Sequence, residues 1–217
     1  MKYQNVIHGE FIDRPNRFLA HVNIDGRVET VHVKNTGRCK EILLPGTEVI
    51  LEVANHSNRK TKYDLVTAYK KGVGWINIDS QAPNKIAGEW LEKKGFDYIK
   101  PEYTYGNSRI DFYMEKGNEK YLMEVKGCTL EIDGIGYFPD APTERGVKHL
   151  KELTKAAKDG YHAAVDFVIQ MEGISEVRAH VETHAAFGAA LDEAKAAGVE
   201  VIFLCCRVGE NEVVCIE

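Results

Sequence analysis

No apolar run in the 217 residues approaches the roughly 20 that a membrane-spanning helix needs, so no transmembrane helix and no membrane partner are expected. The opening MKYQNVIHGE lacks the apolar core of a secretory signal, which makes the cytoplasm the expected location. Cysteine is sparse. Five residues, an odd number with no CxxC spacing, argue against both a disulfide framework and a zinc site. Cys205 and Cys206, inside VEVIFLCC, read as small buried hydrophobes. There are no internal repeats and no low-complexity segment. An excess of positive charge is also missing: the formal net charge of −5 argues against a simple polyanion binder.

What is present is ordinary for a globular chain, with 44% hydrophobic and 28% charged residues. The length suits one large domain or two small ones. The charge is uneven. Residues 1–84 hold 12 Lys+Arg against 9 Asp+Glu, and residues 85–217 hold 16 against 24. Arg38, Lys40, Arg59, Lys60, Lys62, Lys70 and Lys71 carry much of the positive excess. Gathered on one face they would follow a phosphate backbone, and scattered on strand edges they would only discourage aggregation.

The pattern along the chain changes near residue 80. Before it lie five strand-like segments, RFLAHVNID, VETVHVK, TEVILEVA, YDLVTAYK and GWINI, with no strong helix. They predict a small barrel or sandwich, an OB-type barrel being the attractive option. After it, APNKIAGEWLEKKGF sets Ile86, Ala87, Trp90 and Leu91 at helical spacing, with Asn84 as a candidate cap, Gly95 as a stop and Glu89 off the apolar stripe. YIKPEYTYG reads as extended. A helix beginning near Pro142 carries Val147, Leu150, Leu153 and Ala157 on one face. HAAVDFVIQ and VEVIFLCCRV read as buried strands on either side of the helix VETHAAFGAALDEAKAAG, and NEVVCIE as a last edge strand. That order predicts an α/β sandwich around a central mixed sheet. The expected organisation is two domains, 1–80 and 81–217.

Chemistry concentrates in SRIDFYMEKGNEKYLMEVKG, residues 108–127. Ile110, Phe112 and Met114 alternate with Arg109, Asp111 and Tyr113, and the alternation resumes from Lys120 to Lys126. Two strands joined by a Gly117-Asn118 turn follow. With that turn, paired positions sum to 235, and Asp111 faces Glu124 with Cβ atoms about 5 Å apart. Like charges so placed repel, and a divalent cation between them would offset the repulsion; Mg²⁺ and Mn²⁺ both accept carboxylate oxygens. Lys126 lies on the face of Glu124. Two carboxylates and a lysine suit phosphodiester hydrolysis, which needs an activated water and a counter-charge for the transition state. Glu89 is a candidate further ligand. The plainer alternative is a hairpin with a solvated charged face. The same spacing recurs as Asp79, Glu92 and Lys94, where it fails because Glu92 and Lys94 fall in a predicted helix.

Arg145 and His149, four apart on one helix face with Thr143 and Lys148 nearby, could contact phosphate oxygens; the alternative is a surface ion pair and an exposed histidine. His180 and His184 have HxxxH spacing without a third ligand and read as solvated. Asn35-Thr36-Gly37 reads as a turn.

Taken together, RFLA at 17–20, NTG at 35–37, SRIDF at 108–112, EVKG-TL at 124–130 and YFPDAPTERGVKHLKEL at 137–153 resemble the sugar fermentation stimulation protein family of bacteria and archaea. The resemblance implies an N-terminal OB-like β-barrel followed by a PD-(D/E)XK nuclease-like α/β domain. It implies a DNA-binding protein linked to expression of sugar-utilisation genes. On the nuclease-like pattern Asp111 and Glu124 match the metal-binding acids, Lys126 the catalytic lysine and Glu89 the acid on the first helix. Thr143, Arg145 and His149 fall in the family's TERG-KHL segment and would line the site, with Arg38 and Lys40 as further phosphate contacts. Lys34 departs from the family, which usually has proline before Asn-Thr-Gly, and so does the overall acidity. The expectation is a Mg²⁺- or Mn²⁺-dependent nuclease-like protein that binds nucleic acid, with the oligomeric state open and a homodimer one option. The alternatives are a DNA-binding regulator without turnover, or an interaction or small-molecule module whose charge pair is incidental.

Overall fold

The computed structural model describes residues 1–35, 37–54 and 59–216; Thr36 of the NTG turn lies outside them. Strands β1 (Val6–Asn16), β2 (Leu19–Ile24), β3 (Arg27–Val33), β4 (Glu48–Val53) and β5 (Tyr63–Lys70) follow one another in the order β3-β2-β1-β4-β5. A parallel pairing of His32 and Val33 with Asp64 and Leu65 joins β3 to β5 and closes the barrel. Phe11, Val22, Val31, Val49, Leu51 and Leu65 fill its interior. The sequence reading missed β1 and took GWINI as the fifth strand. GWINI is β6 (Gly74–Asn77), a short extension paired with β5. β1 hides because its pairing with β2 shifts register twice, around Asp13, which erases period-two alternation. Gly9 lets it pass close to β2, since a Cβ there would lie 2.5 Å from Val22 Cγ1.

The second half is the predicted α/β sandwich. Helix α1 (Ala82–Leu91) precedes β7 (Tyr98–Tyr105), β8 (Ser108–Lys116) and β9 (Glu119–Cys128). A small sheet of β10 (Leu130–Ile132), β11 (Ile135–Phe138) and β13 (Val177–Ala179) stands beside the main one. Helix α2 (Glu144–Lys158), β12 (His162–Ile169), helix α3 (Val181–Ala196), β14 (Glu200–Val208) and β15 (Val213–Cys215) complete the chain. The main sheet runs β15-β14-β12-β9-β8-β7, with β9, β12 and β14 parallel and the outer strands antiparallel. Ala82, Ile86, Ala87 and Leu91 of α1 cover one face, against Met114, Met123, Val125 and Val168. Leu150 and Leu153 of α2 and Phe187 and Leu191 of α3 cover the other, against Leu122, Val165 and Phe167.

The helix ends refine the sequence reading. Gln81, not Asn84, is the N-cap of α1, and Asn84 lies inside the first turn. Thr143 caps α2, its Oγ1 accepting from the Gly146 N–H at 3.0 Å. α3 is kinked at His184, although the His184 N–H still donates to the His180 carbonyl at 2.9 Å, and the two side chains have different partners. His184 Nε2 meets Glu144 Oε1 at 3.2 Å, and His180 Nδ1 meets Thr183 Oγ1 at 2.8 Å. No helix is long and apolar enough to cross a membrane among the described residues.

One polar group is at odds with its surroundings. Asp166, on β12 between Ala164 and Val168, is fully buried with both carboxylate oxygens unpartnered, and burial pushes its carboxyl well above the usual range. A carboxyl raised on folding favours the native state below its unfolded pKa, and that contribution is lost as pH rises through the folded value. Asp166→Val should therefore stabilise the protein by about 2 kcal/mol near pH 8 and by less near pH 5, read from urea denaturation at the two pH values.

Candidate metal and phosphodiester site

The β8–β9 hairpin has the predicted register: Phe112 pairs with Met123, and the sum of 235 holds through Lys116 and Glu119. The ladder stops there, so Asp111 and Glu124 are not a regular cross-strand pair. On its other side, β8 skips the pairing of Asp111 with Glu102, whose φ is 56°. The alternation breaks at the same point. Phe112 and Met114 pack in the core under α1, whereas Ile110 packs in the core under α2, instead of all three sharing one face. Asp111 occupies this break and substitutes for the missing ladder bond: its Oδ2 accepts the Val125 N–H at 2.8 Å, and its Oδ1 accepts from Asn84 Nδ2 at 2.8 Å.

Glu124 lies nearby and is 2% exposed. Its Oε1 is held by Lys126 Nζ and by His149 Nδ1. Arg145 Nε donates to His149 Nε2 at 3.3 Å, which leaves Nδ1 as the ring nitrogen that donates to Glu124. Burial works to raise the Glu124 carboxyl, but His149 and Lys126 outweigh it and hold the group below the usual range. Asp111 goes the other way. Burial and then the Glu124 charge raise it, against the smaller pull of the Val125 N–H, Lys126 and Asn84. Glu124 Oε2 is buried without any partner. Such an oxygen, beside a second carboxylate with lone pairs to spare, suits a hard cation that needs only one or two protein carboxylates and keeps water in its other positions.

Other predicted residues go elsewhere. Glu89 does not join the pair: five positions beyond Asn84 on α1, it points outward, and the Met1 amino group holds its Oε2 at 2.7 Å. Among the described residues no group of three or more His, Cys, Asp or Glu is placed to hold a metal. His149 is buried against Glu124 and is not an exposed phosphate contact. Arg145 is exposed beside it, and Thr143 spends its hydroxyl on capping α2. Lys148 Nζ donates to the Asn107 carbonyl at 2.6 Å. Arg38 and Lys40 are exposed on the barrel, and the Arg38 N–H donates to Asp140 Oδ2 at 3.1 Å. Two of the other basic residues are neutralised, Arg59 by Asp64 at 2.5 Å and Lys70 by Glu131 at 2.6 Å. In the rival triplet Asp79 is buried and paired with Lys34 Nζ at 2.7 Å.

A cavity of about 460 Å³ opens between the two halves of the chain. Arg17, Asn35 and Gly37 of the barrel line one side, and Gly127, Thr143 and Gln170 the other. Asp111, Glu124 and Lys126 do not line it, but chain neighbours of the site do, Gly127 following Lys126 and Pro83 preceding Asn84. A Cβ on Gly127 would lie 2.4 Å from Gln170 Oε1 and 2.7 Å from Pro83 Cγ, so this wall closes only around a glycine. Gln170 and the positioning role of Asn84 escaped the sequence reading. Gln170 left a signal, a polar residue ending the apolar run HAAVDFVI at the carboxyl end of a parallel strand, where α/β sheets bind ligands. Asn84 left none.

The family model of the SfsA N-terminal OB domain matches residues 12–78, and that of the sugar fermentation stimulation protein RE domain matches residues 81–212. The chain belongs to the sugar fermentation stimulation protein family. It is 53% identical over 216 residues to a sugar fermentation stimulation protein homolog of Desulfitobacterium hafniense, covering 98% of this chain and 94% of that one. It is 51% identical over 217 residues to the homolog of Clostridium beijerinckii, covering 98% and 96%. Among solved structures it is similar to that of Pyrococcus furiosus SfsA in complex with Ca²⁺, with a TM-score of 0.87, 30% identity, and coverage of 99% of this chain and 95% of that one. The barrel and the mixed-sheet α/β domain are thus the family's fold.

The ion pairs in this family member make a direct prediction. Removing Lys126 leaves Glu124 with His149 alone. Lys126→Met should cost about 2–3 kcal/mol near neutral pH. Because a depressed carboxyl stabilises the fold above its unfolded pKa and loses that contribution as pH falls, the cost should shrink near pH 4. Denaturant melts at both pH values check it.

Proposed function

We propose that this chain binds DNA and hydrolyses phosphodiester bonds with the aid of a divalent cation held by Asp111 and Glu124. The observation that carries the reading is the buried Oε2 of Glu124, which has no partner among the described residues, on a carboxylate whose charge is felt by Asp111. The Ca²⁺ in the Pyrococcus furiosus relative supports a divalent cation as the ligand. Such a cation supplies a more acidic bound water and a counter-charge at the scissile phosphate. The chain's own residues do the rest. Lys126, anchored on Glu124 Oε1, stands where it can orient a water or offset developing charge. His149 fixes the Glu124 carboxylate from α2, and Asn84 fixes Asp111 from α1. Arg145, exposed at the start of α2, is the phosphate contact on this side, and Arg38 and Lys40 are candidates on the barrel side.

The position of Glu89 favours a second reading. With the first-helix acid bound to the Met1 amino group, only two acids remain, and a site of this kind also serves a DNA-binding regulator without turnover. Calorimetry with Mn²⁺ and Mg²⁺ on wild type and Glu124→Gln, with a DNA-cleavage assay on the same samples, tells the two apart. The nuclease reading expects Glu124→Gln to weaken cation binding more than tenfold and to abolish cleavage. Cation binding without cleavage, together with an Asp111→Asn variant that still binds DNA, would favour the regulator. Because bound carboxylates must be ionised and the Asp111 carboxyl is raised, cation affinity should fall on acidification at a higher pH than an ordinary aspartate would give, read from calorimetry across a pH series.

A further inference from the structure

Two cavities meet along the seam between the domains. Besides the one lined by Arg17 and Gly127, a second of about 360 Å³ lies against the barrel, lined by Phe18, His32, Lys34, Asn35, Arg59 and Ser80. Asn35 and Ser80 line both, so the two are neighbours. The β1–β2 turn leans over the junction, Arg17 lining the first cavity and Phe18 the second. Phe18 is a large apolar residue 45% exposed at a turn tip, with the Arg17 guanidinium 4.7 Å above its ring. No packing role accounts for this exposure.

We infer that these cavities form a track for one unpaired strand of nucleic acid, running from the Phe18 platform to the Gly127 wall, on the strand that carries Glu124 and Lys126. The inference rests on the reading above and names its substrate class. An exposed aromatic ring under a guanidinium offers a base a stacking face whatever its identity. Arg17, Lys34 and Arg59 supply positive charge to the walls; Lys34 and Arg59 are paired with Asp79 and Asp64, whereas Arg17 has no acidic partner among the described residues. The seam also limits width. Asp140 of the second domain touches the barrel, its Oδ2 lying 2.3 Å from where a Cβ on Gly37 would stand. Cavities of about 460 and 360 Å³ admit single nucleotides, whereas a duplex whose major groove alone is about 12 Å wide cannot enter.

The test uses the full-length chain in EDTA at low salt, with fluorescence anisotropy of a short labelled oligonucleotide as a single strand and as a blunt duplex. DNA and RNA versions separate two sources of the same base and phosphate chemistry. The single strand should bind more than tenfold tighter than the duplex. Phe18→Ala should weaken single-strand binding about tenfold, leave duplex binding and the melting temperature unchanged, and be rescued by Phe18→Trp. A duplex that binds as well as the single strand would overturn the track, and so would a folded Phe18→Ala protein of wild-type single-strand affinity. With no metal present, a failure of cation binding or cleavage bears on the nuclease reading alone. Duplex binding without single-strand preference counts against the track alone.

Discussion

Burying Glu124 beside Asp111 is the constraint around which the second domain is arranged. Two carboxylates in a poorly solvated place repel, and each costs several kcal/mol to desolvate unless cations or hydrogen-bond donors compensate. Compensation arrives from both faces of the sheet. Helix α2, packed by Leu150 and Leu153, brings His149 onto Glu124, and helix α1, packed by Ile86, Ala87 and Leu91, brings Asn84 onto Asp111. Lys126 adds a cation from the same strand. Each helix thus spends most of its inner face on apolar packing and one residue on the charge pair. What these donors leave open among the described residues is Glu124 Oε2.

Much of this was legible in the sequence where periodicity is local. The hairpin register followed from a two-residue turn, and α2 from an apolar stripe starting just after Pro142; the Thr143 cap was not read from the sequence, which offered Thr143 as a phosphate contact. What escaped reading depended on contacts distant in the chain. β1 lost its alternation to two bulges, and the break at Asp111 moved Ile110 away from the face of Phe112. The helical wheel placed Glu89 off the apolar stripe but could not say that the Met1 amino group would claim it. His149 was expected on a phosphate because i, i+4 spacing reports a shared helix face and not what that face meets; it meets Glu124.

The join between the domains is polar, buried and almost fully satisfied. Gln170 Nε2 donates to Asn77 Oδ1 and to the Asp79 carbonyl, and Asn77 Nδ2 donates to Tyr3 Oη and the Val66 carbonyl. Asp79 closes the network with Lys34 at 2.7 Å and Tyr3 at 3.2 Å. Lys34 stands where the family usually has proline, and here its charge compensates a fully buried aspartate. Buried networks of this kind fix relative position more than they add stability. Their effect is to hold the barrel's Asn35 loop and the second domain's Gly127–Gln170 wall at a fixed separation, so the cavity between them is a lasting feature of the fold.

On the proposed nucleic-acid reading, that geometry also reconciles an acidic chain with a polyanionic ligand. Net charge governs approach from a distance, but at an ionic strength near 0.1 M charges beyond about 10 Å are largely screened. Binding then depends on the charges within reach of the seam. Arg17 lines it, and Arg38 and Lys40 follow the Asn35 loop in the chain. Lys34 and Arg59, although paired with Asp79 and Asp64, line the continuation of the seam along the barrel. A ligand held this way must come close before it is attracted, which favours a strand narrow enough to enter over a duplex that can only rest on the outside.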